Sequence, residues 1–361
     1  MRILYVSTSL IYGGAERLLV SYANLQSAEH EIYIVYLKDE PKLLPELNPN
    51  IKVYKIELSL LTVFRLRKLI KEVKPDIVHS HLGHADLIGM LACVNLKLKY
   101  YLTLHNVYFK KNWIDEVYYF FYRILLNFAV PKAKTISVSK AIRNNLSLGK
   151  LRLSESRSLL KYNGIRNIDI ETTRENLRLQ LNIPIDAFVL LFVGRLVPQK
   201  SVHTLLESLP LLSSSSKNIK CIIIGEGALK EKLLLQSEKL NLTEMVEFRG
   251  VTATPELYYA CADLFVLPSI FEGLVTVAIE SFRAGLPVIG TKIDGNTELI
   301  NEGVNGMFFD SENPEQLASC INLLVDDDIK MQELRKGALQ TFQMGFGLEQ
   351  YNDWLLNEYQ S

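Results

Sequence analysis

Two successive series of short apolar runs constrain this chain more than any other feature. The first falls at Ile3–Val6, Ile32–Leu37, Ile77–Ser80, Tyr101–Leu104 and Thr135–Val138. The second falls at Val189–Val193, Lys220–Ile224, Glu247–Arg249, Leu264–Leu267 and Pro287–Gly290. Each run is too short for a helix, is bounded by turn residues, and is followed by a helical pattern. The first such helix is predicted to start near Ala15, with Leu18, Leu19 and Tyr22 on one face. Alternation of this kind predicts parallel sheets in an α/β fold, here two Rossmann-like doubly wound halves. The 361 residues suit two units of about 150 each, and 48% hydrophobic content is ample for two cores. The halves are expected to join near Ile165–Asn176, giving domains at 1–168 and 169–345. Leu348, Tyr351, Leu355 and Tyr359 recur at helical spacing, so 346–361 is expected to form a terminal helix. The Ser213–Ser216 run reads as a short solvated loop.

Net charge is zero, but the zero hides a split. Residues 1–168 carry 25 Lys/Arg and 13 Asp/Glu, net +12; residues 169–361 carry 15 and 27, net −12. Lys97–Ile168 alone holds 14 basic residues against 3 acidic. A basic half suggests an anionic partner, such as a phospholipid surface, a lipid pyrophosphate or nucleic acid. Attraction between the two halves would give the same split with no partner. The cysteines, Cys93, Cys221, Cys261 and Cys320, are scattered and form no Cys-x-x-Cys. They suit buried reduced thiols in a cytosolic chain and suggest no metal site. No segment reads as a membrane span. The best candidate, 117–130, is interrupted by Arg123 and falls short of the roughly 20 residues a span needs. Met1–Val6 is too short for a signal peptide and reads as the first strand. Trp113, Tyr118, Tyr119, Phe120, Phe121 and Tyr122, with Lys110, Lys111 and Arg123, form an aromatic and basic cluster. Such a cluster suits a core helix or a membrane interface.

Chemistry gathers at the predicted C-terminal strand ends, where open α/β sheets bind ligands. Val189–Val193 runs into Gly194-Arg195-Leu196, with Lys200 five residues after Arg195. Ile222–Ile224 runs into Gly225-Glu226-Gly227. Leu264–Leu267 leads to Glu272-Gly273-Leu274-Val275, and a helix is expected from about Leu274 to Ala284, stopped by Gly285. Glu272 then lies just before the helix, and Glu280 roughly two turns in, about 12 Å along the axis. A diphosphate could rest on the helix N–H groups between them. Arg195 offers a planar fork and Lys200 a point charge for the same group. The one Asp-x-Asp spacing, within Asp326-Asp327-Asp328, sits in a late, surface-like segment. A metal is therefore not expected. The plainer alternatives are a solvated glutamate face and ordinary salt bridges. His79-Ser80-His81-Leu82-Gly83-His84 approaches a metal-ligand spacing, but Gly83 stands where an Asp is required. A Gly-x-Gly-x-x-Gly fingerprint is absent, which disfavours a dehydrogenase.

In order, Gly13-Gly14-Ala15-Glu16-Arg17, Thr103-Leu104-His105-Asn106, Ser137-Val138-Ser139, Gly194-Arg195 with Lys200, Gly225-Glu226-Gly227, and Glu272-Gly273-Leu274 followed by Glu280 resemble the retaining glycosyltransferases of family 4. Gly295–Ile300 and Val304-Asn305-Gly306 also match, and the similarity runs from Arg2 to about Asp310. Leu274 and Val275 replace the more usual Phe-Pro, and Asn296 stands where a second glycine is common; both touch the sugar-facing loop.

The resemblance implies GT-B architecture, with two Rossmann-like domains facing across a deep cleft that closes on the donor and a tail crossing back to the first domain. It implies a metal-independent retaining hexosyltransferase with no cofactor. The donor would be a nucleotide diphosphate sugar, UDP favoured over GDP, and the acceptor a glycan or lipid-linked sugar in surface polysaccharide assembly. Nucleic acid is not an implied partner. The implied location is cytoplasmic, with peripheral contact at an anionic inner membrane face. His105, Arg195, Lys200 and Glu272 would carry catalysis. Glu280 would bind the ribose diol and Glu272 the hexose hydroxyls. Gly14 would let backbone approach the sugar or phosphate. Gly225, Gly273, Leu274 and Val275 would line the donor, and backbone at Arg249 and Gly250 would read the base. Gly13, Gly14, Glu16, Arg17 and Asn106 would lie on the acceptor side. The leaving phosphate would accept the acceptor's proton. A non-catalytic nucleotide-sugar-binding subunit and a same-fold nucleotide-sugar epimerase remain as alternatives.

Overall fold

The computed structural model describes residues 1–105, 113–168, 170–213, 217–272 and 275–361; of residues 113–115 and 118 it describes the backbone only. The expectations for Asn106, Gly273 and Leu274, for Lys110 and Lys111, and for most of the Ser213–Ser216 loop lie outside the described residues. The chain forms two compact units. One is Met1–Arg166 with Gly347–Ser361; the other is Asn167–Phe346. The expected boundaries were 168 and 345.

The first unit runs β1 (Arg2–Ser7), α1 (Gly14–Gln26), β2 (Glu31–Tyr36), β3 (Lys52–Lys55), α2 (Thr62–Val73), β4 (Ile77–His81), α3 (Gly83–Cys93), β5 (Lys99–Leu104), α4 (Trp113–Ile124), β6 (Lys134–Ser137), α5 (Lys140–Ile142) and β7 (Ser158–Leu160). Its strands form one seven-stranded parallel sheet in the order β3-β2-β1-β4-β5-β6-β7. Ile3, Leu4, Tyr5 and Val6 of the central β1 are all fully buried. A strand covered by helices on both faces must be apolar throughout, which is why β1 does not alternate.

The second unit runs α6 (Arg174–Gln180), β8 (Phe188–Val193), α7 (Val202–Ser208), β9 (Ile219–Ile224), α8 (Lys230–Lys239), β10 (Val246–Phe248), α9 (Pro255–Cys261), β11 (Leu264–Leu267), α10 (Thr276–Arg283), β12 (Val288–Thr291), α11 (Asp294–Thr297), β13 (Gly306–Phe309), α12 (Pro314–Val325) and α13 (Asp328–Gln343). Its sheet has six strands in the order β10-β9-β8-β11-β12-β13, again parallel. In both sheets the chain works outward from a central strand and then restarts on its other side, at β1/β4 and at β8/β11. Crevices at the C-terminal ends of strands beside such reversals are where ligands bind.

The terminal helix α14 (Leu348–Gln360) belongs to the first unit. Leu348, Tyr351, Leu355 and Tyr359 are all buried in one core with Ile3, Tyr5 and Tyr22. The Leu348 N–H donates to the Ile165 carbonyl at 3.0 Å.

Three strands escaped prediction, β3, β7 and β13, and all three are sheet edges. An edge strand pairs on one side only and tolerates polar residues. Lys52-Val53-Tyr54-Lys55 carries no apolar run for that reason. The helix after Glu272 also begins later than expected. α10 starts at Thr276 with Val275 as its cap residue, so Glu280 stands about one turn in, near 6 Å along the axis, and not two. Its end matches expectation. Gly285 has φ +64°, its N–H bonds the Phe282 carbonyl, and the Leu286 N–H bonds the Ser281 carbonyl. This is the glycine-dependent Schellman closure. All four cysteines are buried and unpaired. The aromatic cluster on α4 divides: Tyr119 and Tyr122 are buried, whereas Phe120 and Phe121 are exposed. Among the described residues no helix is long and apolar enough to cross a membrane.

Candidate functional site

The C-terminal ends of β8, β9 and β10 touch backbone to backbone. The Gly225 N–H donates to the Gly250 carbonyl at 2.7 Å, and the Gly194 N–H donates to the Ile224 carbonyl at 2.9 Å. A Cβ on Gly225 would stand 1.8 Å from the Gly194 oxygen, and Gly225 has φ +144°. Gly250 has φ +66°. The Gly225 conformation requires glycine, and that of Gly250 favours it. A Cβ on Gly227 would stand 2.4 Å from the Leu196 oxygen. The glycines predicted as turns therefore seat one strand end on the next and leave a floor of backbone without side chains.

Charge is arranged around this floor. Arg195 follows β8 and is exposed. Lys200 lies a few residues on, and its ammonium donates to Glu272 Oε1. Both side chains are largely buried, at 14% and 8% exposure. Gln199 makes the meeting possible. Its carbonyl accepts the Ile270 N–H at 2.9 Å, and its amide donates to the Phe271 carbonyl at 2.9 Å. The segment after β11 is thus tied to the turn after β8, and a desolvated ion pair forms between them. Val275, next in the donor-side set, is buried at the start of α10.

Glu280 is oriented by Tyr259, whose hydroxyl donates to Glu280 Oε2 at 2.9 Å. Burial, and then the Glu280 charge, raise the Tyr259 pKa well above that of an ordinary phenol, so it stays a donor. The Arg249 guanidinium turns away from a ligand role. It binds Glu247 and the Leu181 carbonyl and lies over the Tyr258 ring. Asn296 is buried and donates its amide to the Thr291 carbonyl at 2.8 Å. In the late acidic run, Asp327 accepts the Lys330 N–H at 2.9 Å and Asp328 pairs with Lys217. The first is a local helix cap and the second an exposed tertiary ion pair.

The other predicted residues belong to the first unit. Gly13 caps α1, and Gly14 is its exposed first residue. A Cβ on Gly13 would stand 2.3 Å from Glu16 Oε2. The Glu16 carboxylate is buried and accepts from Ser9 Oγ at 2.8 Å. Glu16 therefore holds the loop before α1 in place. Arg17 is exposed, with its guanidinium 5.4 Å from the Tyr12 ring. His105 stands just beyond β5, partly exposed, with Nε2 3.1 Å from His81 Nδ1. Burial lowers its pKa to about 4. The His79/His81 pair is committed to hydrogen bonds with Tyr359, Thr103, Tyr22 and His105. Among the described residues no group of three or more His, Cys, Asp or Glu is placed to hold a metal ion.

Gln199, Tyr259, Tyr22 and His81 are the residues that sequence reasoning missed or misdirected. His81 carried a signal, the His-x-His spacing on one strand, but it pointed to metal. The other three act through tertiary contacts that leave no local pattern.

Two Rossmann-like units, with a glycine floor, a cationic turn and paired glutamates at the strand ends of one of them, define a GT-B glycosyltransferase. The comparisons agree. A model described as "Glycosyltransferase Family 4" matches residues 12–166, and one described as "Glycosyl transferases group 1" matches 173–341. The chain is 32% identical over 310 residues to D-inositol 3-phosphate glycosyltransferase 1 of Catenulispora acidiphila, covering 79% of this chain and 72% of that one. It is 26% identical over 354 residues, 92% of each chain, to a Campylobacter jejuni enzyme named N-acetylgalactosamine-N,N'-diacetylbacillosaminyl-diphospho-undecaprenol 4-alpha-N-acetylgalactosaminyltransferase. The crystal structure of Anabaena HepE in complex with UDP superposes with TM-score 0.87 at 22% identity, over 99% of both chains. The chain belongs to the family 4 glycosyltransferases.

Proposed function

We propose that this glycosyltransferase moves a hexose or N-acetylhexosamine from a nucleotide diphosphate sugar, UDP favoured over GDP, to a glycan or lipid-linked acceptor. It does so with retention of configuration and without a divalent ion, in surface polysaccharide assembly at the cytoplasmic face of a membrane. The observation that carries this is the buried Lys200–Glu272 pair beside the glycine floor. A leaving diphosphate needs positive charge at the moment its bond to the sugar breaks. Lys200 supplies it from a preorganised, desolvated position, and Arg195 adds a planar fork. The start of α10 offers N–H groups to the same anion. When phosphate takes over Lys200, Glu272 becomes an acceptor for the hexose hydroxyls. Glu280, aimed by Tyr259, takes the ribose diol. The sugar C1–O bond to phosphate breaks, the bond to the acceptor oxygen forms on the same face, and the acceptor's proton passes to the departing phosphate.

The UDP complex of the HepE structure and the diphospho-undecaprenol in the Campylobacter enzyme's name favour a uridine donor and a lipid-linked acceptor. The excess of basic residues in 1–168 and the exposed Phe120 and Phe121 favour contact with an anionic membrane. The test is saturation-transfer NMR with UDP-glucose, UDP-galactose, UDP-N-acetylglucosamine and GDP-mannose, followed by a transfer assay in chelator. Binding of one donor and metal-free transfer with retained configuration are expected. A protein that ignores all four, or that works only with added magnesium or manganese, sinks the proposal.

A further inference from the structure

We infer that Tyr22 and His81 fix the tautomer of His105, so that this histidine meets its ligand as an Nδ1–H donor and not as a base. His81 ends β4 and is buried, with both ring nitrogens engaged. Nε2 lies 2.6 Å from Tyr22 Oη, and Nδ1 lies 3.1 Å from His105 Nε2. Tyr22, on α1, is fully buried, and its hydroxyl has no second partner among the described residues.

The direction of each bond follows from proton counting. A phenol is the better donor of the two groups, and a bare imidazole nitrogen is a good acceptor. The reverse arrangement would leave the Tyr22 proton in the core without an acceptor, at a cost of about 1–3 kcal/mol. Tyr22 therefore donates to His81 Nε2. A neutral imidazole has one N–H, so His81 carries its proton on Nδ1 and donates it to His105 Nε2. By the same rule the single proton of His105 sits on Nδ1. Burial keeps the rings neutral, since it holds the pKa of His81 well below the usual value and that of His105 near 4. His79 does not interrupt the series. Its ring lies against His81 with centroids 4.4 Å apart, but its nitrogens bond Tyr359 Oη at 2.5 Å and Thr103 Oγ1 at 2.8 Å.

With Nε2 occupied and Nδ1 protonated, His105 has no lone pair to offer an incoming hydroxyl. It presents one N–H to an acceptor oxygen, such as a sugar hydroxyl. Tyr22 and His81 touch no substrate in this scheme; they are positioning residues. Only the kinetic consequences rest on the proposed function.

The test is ring-nitrogen NMR of protein labelled with 15N-histidine at pH 7. Only six histidines are present, and His105 is assigned by the signals lost in His105→Gln. The expected pattern is a protonated Nδ1 and a bare Nε2. A wild-type His105 protonated on Nε2 overturns the inference, whatever the activity. Tyr22→Phe removes only the hydroxyl, and a second population with His105 protonated on Nε2 is expected. Once a donor is known, the same variant should lower kcat about tenfold with donor KM little changed, less than the 10²–10³ that loss of an oriented donor costs. A folded Tyr22→Phe protein with unmoved nitrogen signals and unmoved kcat also overturns it. Failure to transfer from any nucleotide sugar would instead sink the proposed function and leave the nitrogen signals as the deciding measurement.

Discussion

The two units share a fold pattern and finish their strand ends in opposite ways. In the second unit, Gly194, Gly225 and Gly250 bring backbone against backbone, and charge stands around them on Arg195, Lys200, Glu226 and Glu272. In the first unit, side chains fill the space. Tyr5, Tyr22, His79, His81 and Tyr359 are fully or almost fully buried and hydrogen-bonded in two sets, Tyr5–Tyr359–His79 and Tyr22–His81–His105. The glycine end suits a bulky anion that needs close backbone approach. The histidine end suits a single aimed donor, because its polarity is already spent internally. One site is specified by what is absent, the other by what is locked.

The largest break is expected at Lys200. Lys200→Ala removes the preorganised cation, and turnover should fall by about 10³. It also leaves Glu272 buried without its partner, which costs about 3–5 kcal/mol of stability. The two effects separate in Lys200→Met with Glu272→Gln, which should recover most of the melting temperature and none of the turnover. Steady-state kinetics and thermal melts check this. Unchanged turnover in folded Lys200→Ala would remove the charge from the mechanism.

Next in size is the glycine contrast. Gly225→Ala places a Cβ against the Gly194 oxygen at a φ that L-residues avoid, so a loss of about 3 kcal/mol or more is expected. Gly14→Ala, at the exposed first position of α1, should change stability by less than about 1 kcal/mol, since alanine favours the helix. If Gly14 serves close approach of a ligand, its variant loses transfer and not stability. Urea denaturation of both variants distinguishes the cases. Equal stability losses would show that the two glycine motifs do the same work.

The same contrast explains what was legible in the sequence. Central strands announce themselves because burial on both faces demands an unbroken apolar run, as in Leu264–Leu267. Of the missed edges, β3 carries no apolar run, and β7 and β13 are only three and four residues long. The terminal helix was legible from Leu348, Tyr351, Leu355 and Tyr359, whose spacing is the buried face itself. In the second unit, glycines and cations sit beside strand ends in sequence, so their grouping could be read along the chain. The orienting groups could not. Tyr259 meets Glu280 from 21 residues away, and Tyr22 meets His81 from 59. His79 and His81 share a face by strand alternation, but only the packing of α1 and α14 shows that tyrosines, not a metal, cover that face.

Acid should separate the units most finely. Five of the six histidines lie in the first unit; only His203 lies in the second. Burial lowers His79 to about 3, His81 well below its ordinary value and His105 to about 4. These folded pKa values are depressed, so the unfolded chain binds more protons once pH drops through about 6.5. Their stability is present above that pH and is lost as pH falls toward the folded values. Asp86 acts oppositely. Burial raises it to about 6, so below pH 6 the folded unit holds a proton that the unfolded chain still releases. His84 is shifted down as well, by burial and then the Lys38 charge, so the histidines outweigh the one carboxyl and the unit loses stability as pH falls from about 6 toward about 4. In the second unit burial alone would raise Asp263, but the charges of Arg174 and Arg335 and the Val189 N–H outweigh it and hold the pKa low. Its stability is lost only as pH falls below about 3.9. Hydrogen exchange at pH 7 and pH 5, corrected for intrinsic rates, should therefore show β4 and β5 losing protection while β8 and β11 keep theirs. Equal loss in both units, or earlier loss in the second, would mean that the buried histidines are not what distinguishes them.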